Sequence, residues 1–405
     1  MNIVLIPDGF LNWQGGRDLF CRFYTSLNAA LRSDDQLFIW SNPASDSLPW
    51  RVRRVLKHLL SQFPPDARWI AGELRRPSRS GELRDLLGGS VRYLKTLDHR
   101  ICRKAAGECA VTVGSMHAPP PPFQGVPSVR YIYDCQHRRM PQFFSDREIS
   151  ERDRWFSETL ASADVVVVTS RSVKNDLLQF FSPFRSEIVS LPFSAAPDES
   201  WLLATDYKVL ATYSVNRPFF LCSNQLWKHK NHQVILEAIA LSMKERKPLN
   251  FVFTGPMGEY RDPAYVPSLP ARVEELGVTQ YCRFLGLIPK IDQIQLMRLA
   301  VAVVQPTLFE GAPGGGAISD AISLGRPTVV SDIPVNREIE EHVTAFFDPC
   351  SPEQLLDVLV RLDTAAPSWF DADALRHAGA ARREKYGEVL LGAFTRSTDI
   401  ARART

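Results

Sequence analysis

Residues 301–330 read VAVVQPTLFEGAPGGGAISDAISLGRPTVV, and this stretch decides the fold. An apolar, β-branched run ends at Gln305 and Pro306. A polar loop with Glu310 follows, and then Gly314, Gly315 and Gly316 in succession. A helical pattern starts near Ala317, and a second β-branched run opens at Thr328. Strand, glycine-rich loop and helix in this order is how parallel α/β sheets hold phosphate. Glycine lets the backbone approach an anion with no Cβ in the way, and the N–H groups and dipole of the helix start hold the charge. The spacing matches neither the dinucleotide fingerprint nor the P-loop.

Working outward, short β-branched runs alternate with amphipathic helical stretches along most of the chain, the pattern of parallel α/β sheets. Strands are predicted at 2–6, 36–40, 111–113, 129–133, 165–169 and 188–191, and again at 219–223, 250–254, 282–285, 301–305, 328–331 and 344–347. Two strand series in 405 residues predict two Rossmann-like domains. We place the first at 1–216 and the second at 217–370, with a hinge near Arg217. Residues 371–405 read as a helical tail that packs back toward the first domain, with a long helix over 371–391. The Asp-x-Asp at Asp371 and Asp373 reads as helix-start acids rather than a metal site.

Hydrophobic residues at 45% and charged residues at 23% fit a soluble enzyme and exclude a disordered chain. No apolar run approaches the roughly 20 residues that span a bilayer. The N-terminus enters a buried strand at once, so no signal peptide is expected. Seven irregularly spaced cysteines with no CxxC read as free thiols in a reducing cytosol, with no zinc site. Net charge is only +3, but from Arg51 to Lys104 basic residues number 14 against 5 acidic ones. That stretch is a candidate surface for anionic lipid at the inner face of the membrane, or for a phosphate-bearing acceptor. Its few aromatics, Phe63, Trp69 and Tyr93, form no repeated alternation with its charges, which speaks against nucleic acid.

Three further stretches carry polar groups at predicted strand ends. Residues 219–232, FFLCSNQLWKHKNH, bring Lys228 and Lys230 to a helix start, a charge arrangement suited to a diphosphate. Residues 131–145, YIYDCQHRRMPQFFS, gather Tyr133, Asp134, His137 and Arg138 beyond a strand, at the sheet edge where α/β folds place ligands. Gly15 and Gly16 lie between the first strand and a helix expected over 18–31.

The 301–330 stretch resembles the donor site of family 4 retaining glycosyltransferases of the GT-B fold. Phe309-Glu310-Gly311 matches the opening of that motif, and Asp320-Ala321-Ile322-Ser323-Leu324-Gly325-Arg326-Pro327 its second part, with Asp320 in place of a glutamate. The acids stand ten residues apart, two more than in the family pattern. The resemblance implies that Glu310 contacts the donor sugar and Asp320 the ribose. It implies that Lys230 holds the diphosphate, with Gln225 where an arginine is usual and Lys228 as its substitute. It also implies donor contacts from Gly15, Gly16 and Ile288, and from the amides of Gly314, Gly315 and Gly316. Across the cleft it implies a catalytic or acceptor-side role for Asp134 and His137, with Tyr133 and Arg138 beside the acceptor. The loop at 331–338, SDIPVNRE, also resembles the family and reads as structural.

The expectation is therefore a GT-B enzyme of polysaccharide or glycoconjugate synthesis, cytoplasmic and either free or peripheral on the inner face of the membrane. It would move a hexose from a GDP- or UDP-sugar to a glycan or lipid-linked acceptor, with retention. No cofactor and no metal is expected, because lysines and a helix start can neutralise the leaving diphosphate. The competing readings are a GT-B nucleotide-sugar epimerase and an inactive homologue serving as a partner subunit. A nicotinamide oxidoreductase is disfavoured, since the first βα turn lacks GxGxxG.

Overall fold

The computed structural model describes residues 1–7, 9–11, 14–42, 83, 87, 91–94, 96, 98–106, 111–113, 118–245, 247–258, 261–363 and 371–404. Most of the basic stretch therefore lies outside the described residues. Of it, Arg100, Arg103 and Lys104 stand exposed on a helix over His99–Ala106.

Seven strands form the first sheet: β1 (Asn2–Leu5), β2 (Gln36–Trp40), β3 (Arg92–Leu94), β4 (Val111–Val113), β5 (Ser128–Tyr131), β6 (Val165–Val168) and β7 (Glu187–Ser190). Their order is β3-β2-β1-β4-β5-β6-β7, parallel throughout. The second sheet holds β8 (Phe220–Ser223), β9 (Phe251–Thr254), β10 (Cys282–Phe284), β11 (Val303–Gln305), β12 (Thr328–Ser331) and β13 (Ala345–Phe347). Its order is β10-β9-β8-β11-β12-β13, again parallel. Both sheets reverse their winding at one point, between β1 and β4 and between β8 and β11. In such sheets the crevice beyond the strand ends at the reversal is the ligand site. Inner strands of both sheets are buried on both faces, which is why β6 reads VVVV and β8 reads FLCS with no polar alternation.

The helices that position the site are α1 (Gln14–Ala30), α2 (His99–Ala106), α3 (Gln136–Arg139), α4 (Asp146–Ser162) and α5 (Arg171–Phe181) on the first sheet's side. After these come α6 (Lys208–Thr212), α7 (His232–Lys244), α8 (Tyr265–Glu275), α9 (Lys290–Leu299), α10 (Gly315–Ser323), α11 (Pro352–Asp363) and α12 (Ala372–Arg402). Helix α12 returns to the first half. Tyr386, Leu390 and Phe394 are buried in the same core as Phe10, Phe20 and Phe23. A Cβ on Gly387 would lie 2.0 Å from the Ser26 carbonyl, so only glycine lets α12 lie this close to α1. Asp371 caps α12, its Oδ1 accepting from the amides of Asp373 and Ala374 at 3.0 Å each.

The structure departs from the reading of the sequence, or adds to it, in four places. Gly15 and Gly16 belong to the first turn of α1, not to a loop before it. Strand β3 was not expected, because Arg-Tyr-Leu has no β-branched residue and pairs only as an edge strand. The segment between the sheets carries a short helix, α6, and a 3-10 turn at Glu199–Leu202. Helix α12 continues through Arg402, because polar Ser397 and Thr398 are buried and hydrogen-bonded to its own backbone.

Candidate active site

Glu310 lies in the loop after β11, with its side chain 11% exposed. Lys230 Nζ stands 2.5 Å from Glu310 Oε1, and Gln305 Nε2 donates to the same oxygen at 2.8 Å. Lys230 ends a 3-10 turn, Lys228–Lys230, that follows β8. The two loops are tied together by one carbonyl. His229 O accepts from the Leu308 amide at 2.8 Å and from the Thr307 hydroxyl at 3.3 Å. The left-handed Asn231 then turns the chain into α7, its Nδ2 donating to Pro349 O at 2.7 Å.

Under the carboxylate lies the start of α10. Gly314 caps the helix at φ 67°, and Gly315 follows at φ 65°, both in the region that disfavours side chains. A Cβ on Gly315 would sit 3.3 Å from Glu310 Oε1, so the glycine also makes room for the acid. The three glycine amides are not equivalent. Gly314 N–H donates to Asn336 Oδ1 at 2.8 Å, and Gly315 N–H to Ala312 O at 3.1 Å. This corrects the expectation that all three face a diphosphate. The first two fix the loop, and helix geometry leaves the first-turn N–H groups from Gly316 onward for an anion. Asn336 comes from the 331–338 loop and is fully buried, its Nδ2 donating to Ser331 O at 2.9 Å.

Asp320 lies one turn further along α10. Burial pushes its carboxyl up, and Lys290, whose Nζ is 2.5 Å from Oδ2, works against that. Lys290 opens α9 just after the loop with Ile288, whose side chain packs against the second half's core. Sequence reasoning passed over Lys290; its signal was a basic residue directly after Pro289, at a helix start. Lys228 turns outward to Asp262, 2.9 Å away, rather than toward Glu310. Gln225 is exposed on the turn after β8.

The first sheet's edge meets this loop directly. Thr169 and Ser170 hydroxyls donate to Gly311 O at 3.1 and 2.8 Å. A Cβ on Gly311 would fall 2.6 Å from Tyr133 O and 2.7 Å from Asp134 Cβ. Asp134 thus stands beside the Glu310 loop, its Oδ1 accepting from the Gln136 amide at 2.9 Å. Burial pushes its carboxyl up, with Glu310 adding to the rise and Arg152 and Arg261 opposing it. Three more contacts join the halves. Glu338 accepts from the Arg171 and Ser172 amides at 2.8 and 2.7 Å, Arg22 donates to Ser319 Oγ at 3.2 Å, and Arg261 donates to Gln136 Oε1 at 3.0 Å.

His137 does not join the site, which corrects its expected catalytic role. Its side chain is 0% exposed, edge-on to Phe156 at 5.1 Å, with Nε2 3.1 Å from Asp153 Oδ1. Burial is the first cause that lowers it, to about 4, and Arg152 the second. Arg138 shares the same Asp153, at 2.6 Å, and its guanidinium lies over Phe181. Tyr133 lies under Arg152 and packs on Trp155 and Phe156, so its ring belongs to this aromatic layer. The reason is the helical turn of α3, which points three successive basic residues toward α4 and α5 instead of the cleft.

Among known proteins, residues 212–362 match the family described as Glycosyl transferases group 1. The match spans β8 to α11, and so includes Lys230, Glu310 and Asp320. No curated protein matches the chain by sequence. Solved structures are similar along nearly its whole length. A glycosyltransferase from Rickettsia africae aligns with a TM-score of 0.58 at 13% identity, covering 99% of this chain and 97% of its own. HepE from Anabaena, solved with UDP-glucose, aligns at 0.54 and 14% identity, covering 99% and 98%. Sucrose-phosphate synthase from Thermosynechococcus elongatus aligns at 0.54 and 13%, covering 99% and 94%. At such identities the likeness shows the fold, and the fold is GT-B, as the sequence led us to expect. The match to the group 1 glycosyl transferases lies within the second half of the chain.

Proposed function

We propose that the chain transfers a hexose from a nucleoside diphosphate, UDP or GDP, to a hydroxyl of a glycan or lipid-linked acceptor, with retention of configuration. The observation that carries this reading is one carboxylate, Glu310, held by Lys230 at 2.5 Å over the glycine start of α10. A departing diphosphate gains negative charge. A lysine and the N–H groups of a helix start, placed together beforehand, stabilise that charge without reorganising at the moment of reaction. Glu310 then orients the sugar, and Asp320 takes the ribose hydroxyls. Asp134, beside Gly311, lines the acceptor side.

The similarity to a protein solved with UDP-glucose favours the uridine nucleotide as the first to try. We propose further that no divalent metal is needed, since Lys230 and the helix start supply the positive charge; full activity in EDTA is expected, and a metal-reversible loss would contradict it. Retention means that the acceptor oxygen ends on the face of the sugar from which the diphosphate leaves. The test is to incubate the protein with UDP- and GDP-hexoses and candidate acceptors, and to read the anomeric configuration of the product by NMR. An inverted product overturns retention. Turnover of the donor to an epimer without any acceptor would replace transfer by epimerisation. A membrane-bound acceptor is checked by sedimenting the protein with anionic liposomes; no co-sedimentation at low salt removes that part of the proposal.

A further inference from the structure

We infer that Gln305, Asn224 and His232 are positioning residues for Glu310, forming a hydrogen-bond relay with one direction of donation that fixes which carboxylate oxygen faces the cleft. The inference rests on the proposed role of Glu310 in sugar transfer. The relay spans the point where the second sheet reverses its winding. Gln305 ends β11 and Asn224 follows β8, on neighbouring strands.

The direction follows from charge. Glu310 is ion-paired with Lys230, so its carboxylate can only accept. The group 2.8 Å from Oε1 on Gln305 must therefore be its NH2. That turns Gln305 Oε1 toward Asn224, 2.7 Å away, which must also present its NH2. Asn224 Oδ1 then faces His232 Nε2 at 2.7 Å, and that nitrogen must carry the proton. His232 is 1% exposed, and burial and Lys230 lower it to about 3, so it is neutral and its Nδ1 is an acceptor. The Tyr265 hydroxyl, 3.3 Å from Nδ1, completes the series as a donor. Each group has one consistent orientation, and reversing any of them sets two donors or two acceptors face to face.

The relay reaches Glu310 through a single oxygen. Lys230 and Gln305 both donate to Oε1, and Oε2 accepts no hydrogen bond from the described residues. The middle of the relay is fixed by its backbone. A Cβ on Gly255 would come 1.9 Å from the Asn224 carbonyl, so only glycine allows β9 to meet this turn. Gln305 is 2% exposed and cannot touch a ligand itself. Its effect passes through Glu310.

Two measurements test the relay. In the full-length protein, nitrogen-15 NMR at neutral pH should show His232 as the Nε2–H tautomer, its signals assigned by their loss in His232→Gln. An Nδ1–H tautomer or an imidazolium there overturns the relay, whatever the variants do. In activity assays, Gln305→Leu should lower kcat by up to about 10²-fold, as misplacing a reacting group does, with KM for the donor little changed. His232→Gln, which keeps an N–H near the Nε2 position, should retain most of the kcat that His232→Leu loses. Equal kcat in the folded His232→Gln and His232→Leu variants, or a change in KM alone in Gln305→Leu, overturns the positioning role. If the wild-type protein transfers no sugar from any nucleoside-diphosphate donor, the glycosyl-transfer reading fails while the tautomer still decides the relay.

Discussion

The two sheet edges that face each other in this molecule use their polar residues in opposite ways. Beyond β8 and β11, side chains from separate loops converge on Glu310, and a lysine, an amide and a helix start all address one carboxylate. Beyond β5, a denser run of polar residues disperses: His137, Arg138 and Tyr133 enter an aromatic layer under α4, and of the residues singled out there Asp134 stays beside the cleft. The difference teaches that polar density in a sequence is a weaker guide than the direction in which the local backbone points it. A loop lets neighbours in sequence diverge and strangers meet, while a helical turn commits successive residues to a packed face.

The comparison breaks most readily at its strongest point. Lys230→Ala and Glu310→Ala should each lower turnover by about 10²-fold or more, the scale of losing one preorganised electrostatic contact. Steady-state kinetics with a UDP- or GDP-hexose measures this. Near-normal turnover in either variant would remove that residue from the mechanism and leave the two edges equivalent. A smaller loss is expected where the edges touch. Gly311→Ala puts a Cβ 2.6 Å from Tyr133 O, and relieving such a clash costs about 1–3 kcal/mol against the joined arrangement. Turnover should fall by about tenfold or more with the thermal shift caused by UDP or GDP largely kept, because the glycine serves the junction and not the nucleotide. Loss of the nucleotide shift would place Gly311 in the donor site instead.

Glu338→Gln should have a milder effect. The carboxylate caps the α5 amides of Arg171 and Ser172 from the other half, and a cap of this kind is worth about 0.5–2 kcal/mol. Glutamine keeps an acceptor but loses the charge, so turnover should drop only by about twofold to fivefold, and more at low salt than at high salt. An unchanged salt profile would show that the junction does not depend on this charge.

How much of this was legible beforehand differs between the two edges for physical reasons. The strand, Gly-Gly-Gly and helix sequence declares the α10 start because the backbone conformations it needs, φ 67° and 65°, are ones only glycine adopts cheaply. The apolar runs of both sheets were likewise plain, since strands buried on both faces carry no polar alternation. The partners of Glu310 were not. Gln305 was visible only as the end of a strand, Asn224 and His232 as unremarked polar residues near two lysines, and Asn336 as part of a loop read as structural. These residues meet through strand order, and strand order places β11 beside β8 across some 80 residues of chain. Lys228 and Lys230 illustrate the same limit. They are two residues apart and chemically alike, yet the 3-10 turn sends one to Asp262 and the other to Glu310.

The smallest effect on turnover is expected at His137, where sequence reading and structure disagree most. A neutral, fully buried imidazole donating to Asp153 holds α3 against α4 and needs no substrate. Its folded pKa, about 4, lies below the unfolded value near 6.5, so folding favours the neutral ring. The stability it contributes is present above about pH 6.5 and is lost as pH falls toward 4. His232, lowered to about 3, and His229, lowered to about 2, have the same sign. At pH 5 each such histidine costs about 2 kcal/mol relative to neutral pH. His137→Gln keeps a donor for Asp153 and cannot titrate. It should leave kcat within about threefold while reducing the stability lost between pH 7 and 5 by about one histidine's share, read from urea midpoints at the two pH values. A loss of turnover near that of Glu310→Ala, with the acid sensitivity unchanged, would reverse the assignment: the first sheet's edge would then hold a working base that only a rearrangement of α3 could bring to the cleft.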